Sequence, residues 1–148
     1  EAFTQCSGNV WSNPTVGGIG GAIVIIFAPS IDLSAVADNA FNLNGTNGNT
    51  GTDGSGGAGG GAAGSFLGVG KTVVLGTNKV TVTRGTGSAG SSRCGVTGGS
   101  GGNGSHGRAA TWYTESGTGT AANVTVEHVQ QDLKIGTTGG AFVLSNFA

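Results

Sequence analysis

Charge is scarce in this sequence. Lys and Arg together number 6 and Asp and Glu 7 among 148 residues, and the formal net charge at pH 7 is −1. So weak a field exerts little pull on nucleic acid or on an anionic membrane surface, and no basic stripe alternates with aromatics to stack bases. No nucleic acid is expected as a partner. Methionine is absent and proline occurs twice, too rarely for a collagen triple helix despite the glycine. Apolar runs are short: AIVIIF at 22–27 is continuous but far below the length a bilayer-spanning helix needs, so no membrane insertion is expected. With 2 His and 2 Cys, ligand sets for a metal are poor, and no cofactor is expected.

What the sequence has in abundance is glycine, 33 residues of it, and the glycine is ordered. Along GTNGNTGTDGSGGAGG, residues 45–60, it falls on every third position: Gly45, Gly48, Gly51, Gly54, Gly57 and Gly60. A second run keeps the same step at Gly95, Gly98, Gly101, Gly104 and Gly107. A period of three is neither helical nor that of a strand, and a flexible linker has no use for it. It is the period of the polyproline II helix, where a glycine on every turn leaves one face free of side chains and lets a neighbour approach closely enough to pair. The spacing therefore predicts polyglycine II segments packed side by side, with Gly17, Gly18, Gly20 and Gly21 as a short third one.

Between the glycine runs the chain is β-branched and apolar. AIVIIF reads as a strand buried on both faces, and KTVVLGT, KVTVTRG, RAATWYTES, NVTVEHV, DLKIG and AFVLSNF continue the pattern, with turns at Ala28-Pro29, Asp38-Asn39 and Gly76-Thr77-Asn78. No stretch has a helical period. The order strand, turn, strand, turn, strand, glycine arm occurs once from GGAIVIIFAPSIDLS and again from AAGSFLGVGKTVVLGTNKVTVTRGTG, with Leu33 matching Leu75 and Gly45 roughly matching Gly85. The predicted fold is all-β with essentially no α-helix: a layered β-sandwich or irregular β-solenoid carrying a packed polyglycine II bundle. It forms one domain over 1–148, in which an N-terminal segment (1–16) precedes two related strand-plus-arm units (17–60 and 61–107) and C-terminal strands (108–148).

Enzyme signatures fail on chemistry. GSFLGVGKT approaches a phosphate-binding loop, but Ser65 stands where the motif requires glycine, Gly64 is one place too far, and a strand follows instead of a helix. Glu127 and His128 are neighbours on a strand and so point to opposite faces, which separates them as an acid–base pair or as metal ligands with Asp132. Asp32, Asp38 and Asp53 are too scattered for calcium. No catalytic or metal residue is expected, and the chain reads as a non-enzyme.

The pieces GGAIVIIFAPSIDLS, TVVLGTNKVTVTRGTG and GGSGGNGSHGRAATWY carry a resemblance. Residues 17–113 resemble a glycine-rich repeat of large bacterial and archaeal surface proteins and of phage tail-fibre proteins, and the glycine arms are similar to the polyglycine II bundles of snow-flea antifreeze proteins and phage tail-tip adhesins. The resemblance implies an extracellular, cell-surface or virion-surface setting and carries over no catalytic residue. A disulfide between Cys6 and Cys94 fits that setting, the alternative being two buried thiols. A start at Glu1-Ala2-Phe3 fits the mature end left by removal of a signal peptide. Asn44, Asn103 and Asn123 head glycosylation sequons.

Both ends of the sequence are apolar and strand-like. Either they complete their own sheet, or they add to an exposed edge of a neighbour, with Phe3, Trp11, Phe142 and Phe147 as subunit contacts. The expected function is accordingly a non-enzymatic structural subunit of an extracellular filament or surface sheath, a homopolymer whose principal partner is itself. The alternative is a receptor-binding adhesin module that meets glycans or a cell-surface receptor at its arm tips. An ice-binding protein comes third, because Thr46, Thr50 and Thr52 do not keep one face.

Overall fold

The computed structural model describes residues 15–131 in full and, beyond them, the backbone of two strands. In chain order the strands are β1 (Ile23–Phe27), β2 (Ser30–Asp32), β3 (Phe41–Asn42), β4 (Ser65–Val74), β5 (Val80–Thr81) and β6 (Ser92–Arg93). They continue with β7 (Val96–Thr97), β8 (Arg108–Thr118), β9 (Ala121–Ala122), β10 (Val126–Gln130), β11 (Lys134–Thr138) and β12 (Ala141–Ser145). The described chain is all-β, and it sorts into two compact units assembled from alternating stretches of sequence. Of the residues described in full, one takes 15–20, Gly45–Ala62 and Arg84–Ser105; the other takes Gly21–Asn44, Ala63–Thr83 and 106–131.

The β-branched unit is a parallel stack in which each strand lies on its counterpart from the next repeat. Its main sheet runs β1-β4-β8-β10, with β2 also on β4, and every pair is parallel. A smaller parallel sheet runs β3-β5-β9. Ile31 stands opposite Val73, and Leu33 N–H bonds the Val74 carbonyl at 2.8 Å, so the sequence match of Leu33 with Leu75 is a match in space. Register follows from the shared alternation: a slip of one residue would turn every inward side chain to the other face. Pro29 has no N–H to give and divides the first repeat into β1 and β2, whereas β4 and β8 run on. Ala28 N–H to Val69 O (3.0 Å) and Lys71 N–H to Pro29 O (2.9 Å) carry the pairing past that break.

Inward positions of this stack make one apolar cluster of Ile31, Leu33, Leu43, Phe66, Val73, Leu75, Val80, Val82 and Ala109. Phe66 meets the ring of Phe41 edge-on, with centroids 5.7 Å apart at 65°. Each of the larger side chains among them, once removed from water, contributes about 1.5–3 kcal/mol. The turns stack as well. Asn39 and Asn78 share a φ of 57°, Asn39 N–H bonds Asn78 O at 2.8 Å, and Lys79 pairs with Asp38 at 2.7 Å.

The glycine-rich unit works differently. Segments 15–20, 45–51, 55–62, 84–91 and 97–105 bond to one another backbone to backbone, and in the last four each set of donors advances by three residues. Segment 55–62 shows the pattern best. Gly57 and Gly60 donate to Gly99 and Gly102, while Ala58 and Gly61 donate to Asn49 and Thr46. The same segment accepts from Ser91, Ser88 and Gly85 at its carbonyls Ser55, Ala58 and Gly61, and from Gly18 at Gly59. Neighbours this close leave no room for side chains. A Cβ at Gly45, Gly48, Gly51, Gly57, Gly60, Gly98, Gly101 or Gly104 would lie within 3.0 Å of a neighbouring carbonyl oxygen.

Two glycines keep the register for another reason. Gly54 (φ 83°) follows Asp53 (φ 50°), and Gly95 (φ 77°) follows Cys94 (φ 53°), so both stand where the chain reverses through left-handed geometry. The second reversal is the antiparallel β6–β7 hairpin. In the other unit, Gly107 faces the Gly64 carbonyl and has no space for a Cβ.

Candidate assembly surface

The main sheet of the β-branched unit leaves β1 as an edge strand among the described residues. Its alternation divides it cleanly. Val24 and Ile26 pack on the core, while Ile23 (73% exposed) and Ile25 (53% exposed) face outward. Parallel register extends that outer face across the sheet: Ile23 to Ser65 to Arg108, and Ile25 to Leu67 to Ala110 to Glu127. These rows line a groove with a cavity volume of about 530 Å³, to which Trp112 also contributes. The groove is mainly apolar, with Arg108 at the Ile23 end and Glu127 on β10 as its charged side chains.

The opposite edge of the sheet is β10. His128 holds it in place, its Nδ1 2.7 Å from the hydroxyl of fully buried Thr111 and its Nε2 3.0 Å from the Gly119 carbonyl. The carbonyl can only accept, so Nε2 carries a proton. Glu127 is exposed and His128 partly buried, as neighbours on a strand must be when they face opposite ways. Gly70-Lys71-Thr72 lies within β4, paired with neighbouring strands and not wrapped around an anion. Among the described residues no three His, Cys, Asp or Glu side chains gather as metal ligands. Asp32 is pulled below its ordinary value of 3.8 by the Ser34 side chain and backbone N–H, the latter at 2.8 Å. No helix among the described residues is long and apolar enough to cross a membrane.

The sequon asparagines have structural work within the fold. Asn44 Oδ1 accepts the Thr83 N–H at 2.7 Å, Asn103 Oδ1 accepts the Gly87 N–H at 2.9 Å, and Asn123 Nδ2 donates to Thr83 Oγ1 at 2.8 Å. Sequence reasoning passed over Asn47, whose Oδ1 accepts the Thr86 N–H at 2.8 Å. The available signal was spacing: Asn47 follows Asn44 by one glycine period. Replacing Asn47 with Ala should cost about 1 kcal/mol, read as a lower melting temperature together with faster hydrogen exchange at the Thr86 amide.

Cys94 sits in the β6–β7 turn and is disulfide-bonded. The other cysteine of the sequence, Cys6, lies outside the described residues, as do Phe3, Trp11 and Phe147. Phe142 falls in β12, whose side chains are not among those described. β12 pairs antiparallel with β11, in a two-stranded sheet separate from the others among the described residues. No family model matches this chain, and no curated protein or solved structure matches it either.

Proposed function

We propose that this chain is a non-enzymatic structural subunit of an extracellular filament or surface sheath, and that it polymerises through β-strand and apolar contacts. The observation that carries the reading is β1, an edge strand among the described residues, with the sequence IVIIF, which shows Ile23 and Ile25 to solvent and bears no charge. Monomeric proteins protect such an edge with lysine, proline or a covering segment. Among the described residues the two ends of the stack, β1 and β10, differ, so a contact of one end with the other would join unlike surfaces and have no need to close on itself.

Within this reading the parallel stack is an irregular β-solenoid and the glycine-rich unit a polyglycine II bundle. Support for the bundle comes from donors that recur every third residue and from glycines whose Cβ would strike a carbonyl. A bundle of this kind is stiff without a large apolar core, which suits a load-bearing subunit. The resemblance to surface and tail-fibre repeats supports an extracellular setting. A bridge from Cys94 to Cys6 agrees with it.

Sedimentation of the purified protein across a dilution series tests the proposal. Mass should pass from subunit to polymer above a threshold concentration. A single slow species at every concentration contradicts it. The adhesin reading has one observation of its own, Val96, 71% exposed in the β6–β7 hairpin at an arm reversal. It requires saturable binding to cells or glycans that a Val96→Asp variant loses.

A further inference from the structure

We propose that Ser100 and Asn103 are stops: they close the glycine-rich unit on segment 97–105 and prevent a glycine arm of another chain from adding there. The inference goes beyond the filament reading and does not rest on it.

The unit is built by one rule. Segments 15–20, 55–62 and 97–105 follow one another, since Gly18 donates to Gly59, and Gly57 and Gly60 donate to Gly99 and Gly102. Segments 45–51 and 84–91 lie against them. Segment 84–91 runs antiparallel to 55–62, donating from Gly85, Ser88 and Ser91 to the carbonyls of Gly61, Ala58 and Ser55. The residues of 55–62 that lie beneath it are Gly57 and Gly60, where a Cβ would fall on the Ser88 and Gly85 carbonyls. Gly18 has the same place beneath 45–51, where a Cβ would fall on the Thr46 carbonyl.

On 97–105 that rule is broken at two residues. Gly98, Gly101 and Gly104 face the carbonyls of Ser55, Ala58 and Gly61, so Ser100 and Asn103 hold the places of Gly57 and Gly60. Gly56, Gly59 and Gly61 are matched by Gly99, Gly102 and Gly104, and the glycines replaced are the two that a further arm would cover. Such an arm would also take up the Gly87 and Gly90 N–H groups, as Thr86 and Ala89 take up those of Gly48 and Gly51. Asn103 supplies a substitute: its Oδ1 accepts the Gly87 N–H at 2.9 Å. The edge is open to solvent. Ser100 and Asn103 are exposed, and Gly101 and Gly104 are half-buried, whereas Ala58 and Gly61 beneath 84–91 are buried.

The first segment carries side chains of its own. Val16 and Ile19, 63% and 73% exposed, stand where the next segment has Ala58 and Gly61, and a Cβ at Gly61 would fall on the Ile19 carbonyl. The reason for stops is the hazard of any unpaired edge. An open row of backbone groups is a template for the same element of another copy, and every copy carries the same arms. Side chains in the glycine places remove the close approach on which pairing of such segments depends.

The test titrates the full-length chain with the synthetic peptide RGTGSAGS, the sequence of residues 84–91, and follows amide chemical shifts. The variant carrying Ser100→Gly and Asn103→Gly should bind at least tenfold more tightly than the parent, with saturable shifts at the Gly87 and Gly90 amides. The variant carrying Ser100→Ala and Asn103→Ala keeps both Cβ atoms and loses the cap. It should exchange faster at the Gly87 amide and bind no better than the parent. If loss of the cap unfolds the glycine variant, Ser100→Gly alone keeps the cap and should bind GSAGS, the sequence of residues 87–91, at least tenfold more tightly than the parent does, because that peptide stops short of Asn103. A parent that binds as tightly as the glycine variants, an alanine variant that binds as they should, or glycine variants that ignore both peptides overturns the assignment.

Discussion

Gly101→Ala should disrupt the glycine-rich unit, while Gly102→Ala, one residue along the same segment, should leave it intact. A Cβ at Gly101 falls on the Ala58 carbonyl and the Gly59 nitrogen, all of them backbone atoms of a neighbouring segment. Backbone cannot swing aside as a flexible side chain can, so the expected cost lies at or above the top of the overpacking range, about 3 kcal/mol or more. Damage should spread to bonds that depend on the same spacing: Gly98 to Ser91, Gly101 to Ser88 and Gly104 to Gly85. At Gly102 an added Cβ meets nothing within 4 Å, and the residue does not hold a left-handed φ. Alanine there restricts the unfolded chain and should be neutral or stabilising by up to about 1 kcal/mol. Thermal unfolding with hydrogen exchange at Gly98, Gly101 and Gly104 distinguishes the two. Equal effects at both positions would mean that glycine acts here through backbone entropy and not through close packing.

Phe66→Ala should be the most damaging single truncation in the β-branched unit. Phe66 is 2% exposed on β4, which pairs with β1 on one side and β8 on the other, and its ring packs on Phe41. Removing the ring gives up its transfer energy and opens a cavity that paired strands on both sides cannot easily close. The expected loss is about 3–5 kcal/mol, a large part of the roughly 5–15 kcal/mol that holds a typical domain folded. Leu67, the next residue, faces the groove and is only half-buried, so Leu67→Ala should cost about 1 kcal/mol. Denaturant unfolding of both variants reads the difference. Similar losses would contradict the assignment of inner and outer faces to β4.

The parts of this fold that were legible in the sequence are those where sterics admit one residue type. The three-residue spacing at Gly45, Gly48, Gly57, Gly60, Gly98, Gly101 and Gly104 is such a case, because each faces a carbonyl that no other side chain can approach. Gly54 and Gly95 share the spacing without sharing the cause, since a reversal needs left-handed geometry and the two demands look alike in sequence. Strand positions were legible from β-branched clusters such as KTVVLGT. Pairing partners were not, because alternation is the same in parallel and antiparallel sheets. Only the match of Leu33 with Leu75 pointed to like strands lying on like.

The asparagines are a different kind of miss. Asn44, Asn103 and Asn123 satisfy a sequon, and the same side chains cap backbone or hydroxyl groups far along the chain. A tripeptide motif contains no trace of a partner 16 to 40 residues away, so local reading found the modification pattern and not the cap. The edge of β1 was hidden for the opposite reason. AIVIIF reads as a strand buried on both faces, yet Ile23 and Ile25 are exposed. An apolar run records burial on average and does not say which of its alternate residues face inward.

Electron microscopy of the native protein, imaged from its source without denaturation and again after serial dilution, tests the central claim most directly. Regular fibres of uniform width above the threshold concentration, with a helical repeat built from one subunit, are the predicted result. A stable monomer or a small closed oligomer at every concentration would contradict the account.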